Sequence, residues 1–170
     1  MLSSDLLLDA FGRVSGVVHS VLVGAGPRML EFRPDPEANT VAWLVWHLAR
    51  IQDAQMAPII GEEQVWTTDG WFDRFGLPLN ARDTGYGHTA DDVGSVRASA
   101  DLLGGYFDAV HARTIAFLPT LAEADYARIV DRAWDPPVTV AVRLVSIIAD
   151  DLEHAGQAAY VRGLALRAAR

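Results

Sequence analysis

Apolar residues recur at three- and four-residue spacing through four long segments of this 170-residue chain. That period specifies helices, and the two-residue alternation of half-buried strands is nearly absent. The first segment runs from about Ser4 to Val23, with Leu7, Phe11, Val14, Val18, Val21 and Leu22 as its stripe, and stops at Gly24-Ala-Gly-Pro27. The second opens after Asn39 or Thr40, both good N-caps, and ends near Ile60 before Gly61. The third begins at Thr89-Ala-Asp-Asp92, which resembles a capping box with Asp in place of Glu, and continues to about Leu118, before Pro119. The fourth follows Pro136-Pro137 and runs from about Thr139 to the C-terminus. Between the second and third lies a connection from Gly61 to His88, rich in Trp, Gly, Asp and Pro, with one short helix expected over Asp69 to Phe75. A connection of this length is usually functional or a packed lid. The pattern predicts an all-α fold: one domain spanning residues 1–170, a four-helix bundle with a long Trp-rich crossover between helices two and three.

Composition narrows the chemistry. Half the residues (51%) are hydrophobic, enough for a core of ordinary size. Cysteine is absent, which excludes disulfides, a protein thiol nucleophile and cysteine-based zinc sites. All 14 basic residues are Arg, so Schiff-base and phosphate-loop lysine chemistry is excluded too. The net charge of −8 makes nucleic acid a poor partner. The N-terminus has no basic region ahead of an apolar one. The longest uncharged apolar stretch, Val14 to Pro27, is interrupted by Gly, Ser, His and Pro and is shorter than the ~20 residues of a membrane span. The expectation is a soluble cytoplasmic protein with no membrane or nucleic-acid partner.

The polar residues that interrupt the apolar stripes carry the functional reading. On the fourth helix, Val140, Ile147, Ala158, Val161 and Ala165 fall within about 40° of His154 at 100° per residue, and Asp150 lies one turn before it. Asp151 falls to one side of this stripe and Glu153 further round. An i, i+4 carboxylate and imidazole can point at one metal centre. Equally, Asp150 can hydrogen-bond His154 or pair with Arg143, two turns earlier. The second helix has Val41, Leu44, Leu48, Ile51 and Ile59 as its inner stripe, with His47 about 60° from its centre. His47 gains weight as a ligand because another helix offers Asp150 and His154, and three ligands leave open positions on a metal. The opposite face of the second helix is also apolar, through Ala42, Trp46, Ala49, Met56 and Ile60. It calls for a lid or a second subunit, and Asp53 on that face calls for a partner such as Arg74. His88 reads as a loop or capping residue, and His19 and His111 as packing or surface residues. Gly104-Gly105 inside a helix suggests a close approach or a kink.

Three segments together resemble a known family. They are Asn39-Thr-Val-Ala-Trp-Leu-Val-Trp-His47-Leu-Ala-Arg-Ile-Gln-Asp53, then Val65-Trp-Thr with Trp71-Phe-Asp-Arg-Phe-Gly-Leu77, then Asp150-Asp-Leu-Glu-His154-Ala-Gly-Gln-Ala-Ala-Tyr-Val-Arg-Gly163. The chain is similar to the DinB-like superfamily, most of all its mini-circle protein branch. The resemblance implies a four-helix bundle, commonly a homodimer, with a divalent metal held by one His of the second helix and a His-x-x-x-His pair of the last. Here those positions are His47, Asp150 and His154, with Asp in place of the first His. The related mycothiol-dependent maleylpyruvate isomerases place a Glu there. The implied cofactor is a divalent metal, zinc or nickel before iron, with a low-molecular-weight thiol as co-substrate. The implied activity is a thiol S-transferase or isomerase acting on a small electrophile. Trp43, Arg50, Trp71, Arg74 and Gln157 are expected around its substrate pocket. The alternative is a non-catalytic, stress-related metal- or ligand-binding dimer.

Overall fold

The computed structural model describes residues 2–168. Helix, short 3-10 turns included, accounts for 68% of the described residues, and among them the strands are confined to one small pair, so the fold is all-α. The helices are α1 Ser3–Leu22, α2 Pro27–Leu30, α3 Val41–Ile60, α4 Val65–Thr68, α5 Trp71–Phe75, α6 Ala90–Ser95, α7 Ala100–Phe117 and α8 Val140–Ala168. The antiparallel strands are β1 Ile129–Asp131 and β2 Val138–Thr139.

Local chemistry sets the ends of the long helices. Thr40 Oγ1 accepts from the Trp43 amide at 3.0 Å and starts α3, and Gly61 ends it with φ +85°, a conformation that favours glycine. Ser99 Oγ accepts from the Leu102 amide at 3.2 Å and starts α7. This cap corrects the expectation of one continuous helix from Thr89 to Leu118. The Thr89/Asp92 capping box forms, but it opens only α6; the chain leaves the helix at Val96, whose side chain is buried, and restarts at Ser99. A second N-cap within one turn of a buried β-branched residue outweighs the propensity for a single helix.

α1 and α3 each pack against both α7 and α8, and the most extensive contact joins α3 to α8. α3 is buried nearly all round: Ala42, Trp46, Ala49 and Met56 of its outer face are as inaccessible as Val41, Leu44 and Leu48 of its inner one. The crossover covers that outer face from within the same chain at Ala42, Trp46 and Ala49, whereas Met56 lies in a second cluster with Phe11, Leu118 and Leu144. Trp66 of α4 meets Trp46 edge-on at 6.3 Å. Asp53 accepts from the Val65 and Trp66 amides at 3.1 and 2.9 Å, satisfying the free N–H groups at the start of α4. Asp53 therefore does not pair with Arg74, which lies over the Trp71 ring at 4.6 Å. The Gly104-Gly105 pair marks a close approach, since a Cβ on Gly105 would stand 2.9 Å from the Trp71 ring.

The buried stripe of α8 is centred elsewhere than on His154. Val140, Leu144, Ile147, Asp151, Ala155 and Ala158 are its fully inaccessible members, with Asp150 and His154 along one edge. Asp151 is thus in the middle of the core, and neither of its carboxylate oxygens has a donor among the described residues. Burial, reinforced by the neighbouring Asp150, pushes its carboxyl well above the ordinary range. The unfolded chain ionises this group near pH 4. The folded chain holds the proton to higher pH, so the cost of Asp151 is absent below about pH 4 and grows as pH rises. Asp151→Leu is therefore expected to stabilise the metal-free protein at pH 7.5 by about 1–3 kcal/mol, or roughly 2–10 °C in Tm. The gain should shrink at pH 5. A variant less stable than wild type at both pH values would show that Asp151 has a partner in solution.

Candidate metal centre

His47 is two turns into α3, and Asp150 and His154 are one turn apart on α8. One ligand atom from each lies within 4.8 Å of the other two. Metal–nitrogen bonds of about 2.0–2.1 Å place tetrahedral ligand atoms about 3.4 Å apart, so the groups need draw together by about 1.4 Å at most. The His47 and His154 rings meet edge-on, with centroids 4.6 Å apart.

The hydrogen bonds around the triad fit a cation. His47 Nδ1 is bonded to the Thr84 carbonyl, an acceptor only, so Nδ1 carries the proton and Nε2 keeps a free lone pair. His154 Nδ1 donates to Gln157 Oε1 at 3.0 Å, which likewise leaves its Nε2 as the ligand atom. Outer partners of this kind commonly orient metal-binding histidines. Asp150 Oδ1 stands 3.6 Å from His154 Nε2. Its buried Oδ2 has no donor among the described residues. Two imidazole nitrogens and a carboxylate suit zinc, nickel or iron(II).

Electrostatics favour the same reading. Burial, chiefly, lowers the His47 pKa to about 4, with His154 and His88 adding to the effect and the Thr84 bond opposing it. His47 is thus neutral near pH 7 and can take a metal without first losing a proton. Burial pushes the Asp150 carboxyl up, partly offset by His154. A bound cation reverses that cost. His47 is only 6% exposed, whereas the Asp150 and His154 side chains are 30% and 18% exposed. The centre is closed on the α3 side and open on the α8 side.

The other candidate residues take different places. Trp43 stacks on His47 at 4.5 Å and 10° and turns its edge to His154, so it walls the centre. Gln157 is the orienting partner of His154. Arg50 is fully buried in a polar network under the crossover, and Trp71 and Arg74 pack with one another against α7 rather than with the triad. Arg143 pairs with Asp131 at 2.8 Å, which removes it as a partner of Asp150. His88 does more than shape a loop, because its Nδ1 accepts from Trp43 Nε1 at 3.1 Å and its ring stacks on Trp46. His19 pairs with Asp108 of α7 at 2.9 Å, and His111 stacks on Phe107; neither belongs to the triad. The Thr84 carbonyl and Gly85, which lies against His47, are contributions that side-chain reasoning missed. The Thr84-Gly-Tyr-Gly-His88 run signals a tight turn through its paired glycines, but not which carbonyl of that turn meets His47.

A helical core whose two most closely packed helices supply a His-Asp-His triad defines a class of helical proteins with a metal-type centre. The chain belongs to the DinB superfamily, whose sequence model matches residues 10–158 and whose members include metal-dependent enzymes. A crystal structure described as a conserved protein from Enterococcus faecalis is similar over 98% of both chains, with 31% identity and a TM-score of 0.91. No curated protein matches. Among the described residues no helix is long and apolar enough to cross a membrane.

Proposed function

We propose that this chain is a metal-dependent enzyme with the DinB four-helix-bundle arrangement, of the mini-circle branch and related to the mycothiol-dependent isomerases. His47, Asp150 and His154 would hold a divalent ion, zinc or nickel before iron. The reaction is transfer of a low-molecular-weight thiol to a small electrophile, or a thiol-assisted isomerisation. The observation that carries the reading is the unpartnered Asp150 Oδ2 beside two imidazoles whose Nδ1 atoms are both occupied. When bound, a divalent ion supplies Lewis acidity, which lowers the pKa of a thiol or water at an open position. The chain supplies the rest. Thr84 and Gln157 hold the imidazoles in one tautomer, Trp43 closes the wall above His47, and the partly exposed α8 edge admits the reactants. Cysteine is absent, so the thiol comes from a second molecule. Such thiols stay reduced in the cytoplasm, which is the setting we assign.

Elemental analysis of protein purified without added metal, followed by thiol-consumption assays across a panel of electrophiles, tests this. About one metal per chain and metal-dependent thiol loss are expected. Stoichiometric metal with no thiol consumption would sink the enzyme reading and favour a binding protein.

We also propose a homodimer, through a face other than the covered side of α3. α8 exposes Val142, Val145, Leu152 and Tyr160, and α1 exposes Leu6, which meets Ala141 and Val145 in one apolar groove. A long helix apolar on both sides is stable in water only if both are covered. Sedimentation at micromolar concentration should show a dimer that Val145→Glu dissociates; a monomeric wild type would end this proposal.

A further inference from the structure

Arg50 is a guanidinium with no solvent exposure, and its bonds reach three separate parts of the chain. On one side, Nη1 donates to Gln64 Oε1 at 2.9 Å and to the Tyr106 hydroxyl at 3.0 Å. The Tyr106 hydroxyl donates in turn to Asp53 Oδ2 at 2.9 Å, and the Asp53 carboxylate lies 3.6 Å from Arg50 itself. On the other side, Nε donates to the Asp83 carbonyl at 3.1 Å and Nη2 to the Ala81 carbonyl at 3.4 Å. The next carbonyl along, Thr84, is the one that accepts the hydrogen bond from His47 Nδ1–H.

We infer that Arg50 is a positioning residue of the metal centre: anchored by Asp53, Tyr106 and Gln64, it holds the strap of residues 81–84 so that the Thr84 carbonyl fixes His47 in the Nδ1–H tautomer and leaves Nε2 for the ion. The inference rests on the reading of His47 as a ligand. Arg50 and His47 are three residues apart on α3, so both lie under the same strap. Within the strap, the Asn80 amide donates to the Asp83 side chain at 2.8 Å and the Asp83 amide to the Asn80 carbonyl at 2.9 Å, so the turn itself is held locally. What α3 adds is the grip on the Ala81, Asp83 and Thr84 carbonyls. A planar fork with five N–H groups can grip two successive parts of such a strap while staying tied to the core, and a lysine ammonium cannot match that geometry. The expense of burying a cation is offset by Asp53, which Arg50 faces across the Tyr106 hydroxyl. A network that served only to staple the crossover would not need its bonds to end one residue from the carbonyl that sets the tautomer of His47.

The test reads the tautomer directly, in metal-free protein, by long-range nitrogen–proton spectra of the imidazoles. Wild type is expected to show His47 as a single Nδ1–H tautomer. Arg50→Met combined with Asp53→Asn, which leaves no buried charge unpaired, is expected to show a mixture of both tautomers. Its cobalt(II) affinity should fall about 10–100-fold, as for other outer partners of metal ligands. Arg50→Lys keeps the charge beside Asp53 but cannot span both carbonyls. It is the variant expected to fold in any case, with a smaller shift in the same direction. Leu144→Ala, a truncation in the second core cluster, which contains none of the triad or strap residues, controls for lost stability and should leave the tautomer single. An unchanged single tautomer in both Arg50 variants would overturn the inference. Failure of wild type to bind cobalt(II) would overturn the metal reading instead, and the tautomer would still decide the role of Arg50.

Discussion

Asp150→Ala is expected to abolish stoichiometric metal, a loss exceeding the roughly 10–100-fold that follows removal of an outer partner. Its Oδ2 is buried with no donor among the described residues, so the group is costly to keep unless a cation satisfies it. Asp150→His should retain metal, because it returns an imidazole to the same place one turn before His154. A carboxylate adds one negative charge to the ligand set, so the His variant should hold the ion less firmly while leaving it a stronger Lewis acid. If Asp150 only orients His154, across their 3.6 Å separation, Asp150→Ala changes Tm and leaves metal content alone. Metal per chain and Tm with and without chelator, measured together on both variants, separate the two cases. Metal at 100 times its Kd stabilises a folded chain by about 2.7 kcal/mol. The chelator-sensitive part of Tm should therefore be present in wild type and Asp150→His and absent in Asp150→Ala. Full occupancy in Asp150→Ala would remove Asp150 from the ligand set.

The residues of this centre differ in how visible they are in a sequence. His47, Asp150 and His154 stand out as candidates because each is a polar side chain in or beside an apolar stripe, and the i, i+4 spacing on α8 is directional information; the family resemblance is what favours a metal over a core pair. The same wheel misjudged Asp151. Angles measured from His154 made the edge of the buried face look like its centre, and only the packing of α3 and α1 against α8 places Asp151 inside. The long helices were legible where caps and period agree, at Thr40, Gly61 and the segment after Pro137. They were misjudged at Ser99, where a local cap competes with a continuous period. α2, α4 and the β1–β2 pair hold two to four residues each, too few for any period to register. Thr84 was beyond reach for a different reason. It acts through its carbonyl, which every residue has, so only the path of the crossover gives it a role.

Gly85→Ala is expected to disable the centre from outside the ligand set, and Gly87→Ala supplies its control. Gly85 has φ +100° and Gly87 φ +74°, so an alanine at either strains the backbone, at about 1–3 kcal/mol. They differ in surroundings. A Cβ on Gly87 would meet nothing within 4 Å, whereas a Cβ on Gly85 would stand 2.5 Å from His47 Nδ1 and 2.9 Å from the Trp43 ring. Neither of those neighbours is a flexible chain end. Trp43 is pinned by His88 and stacked on His47, and His47 is held by Thr84. The added methyl must therefore push the strap off α3 or turn His47, and either movement breaks the bond that presents Nε2 to the ion. Both variants should lose Tm in chelator, Gly85→Ala the more because of its clash, while only Gly85→Ala should lose cobalt(II) affinity, by at least the ~10–100-fold of a lost outer partner. Undiminished affinity in both variants would mean that His47 binds metal without the strap. Equal loss in both would assign the effect to backbone strain in the loop rather than to contact with His47.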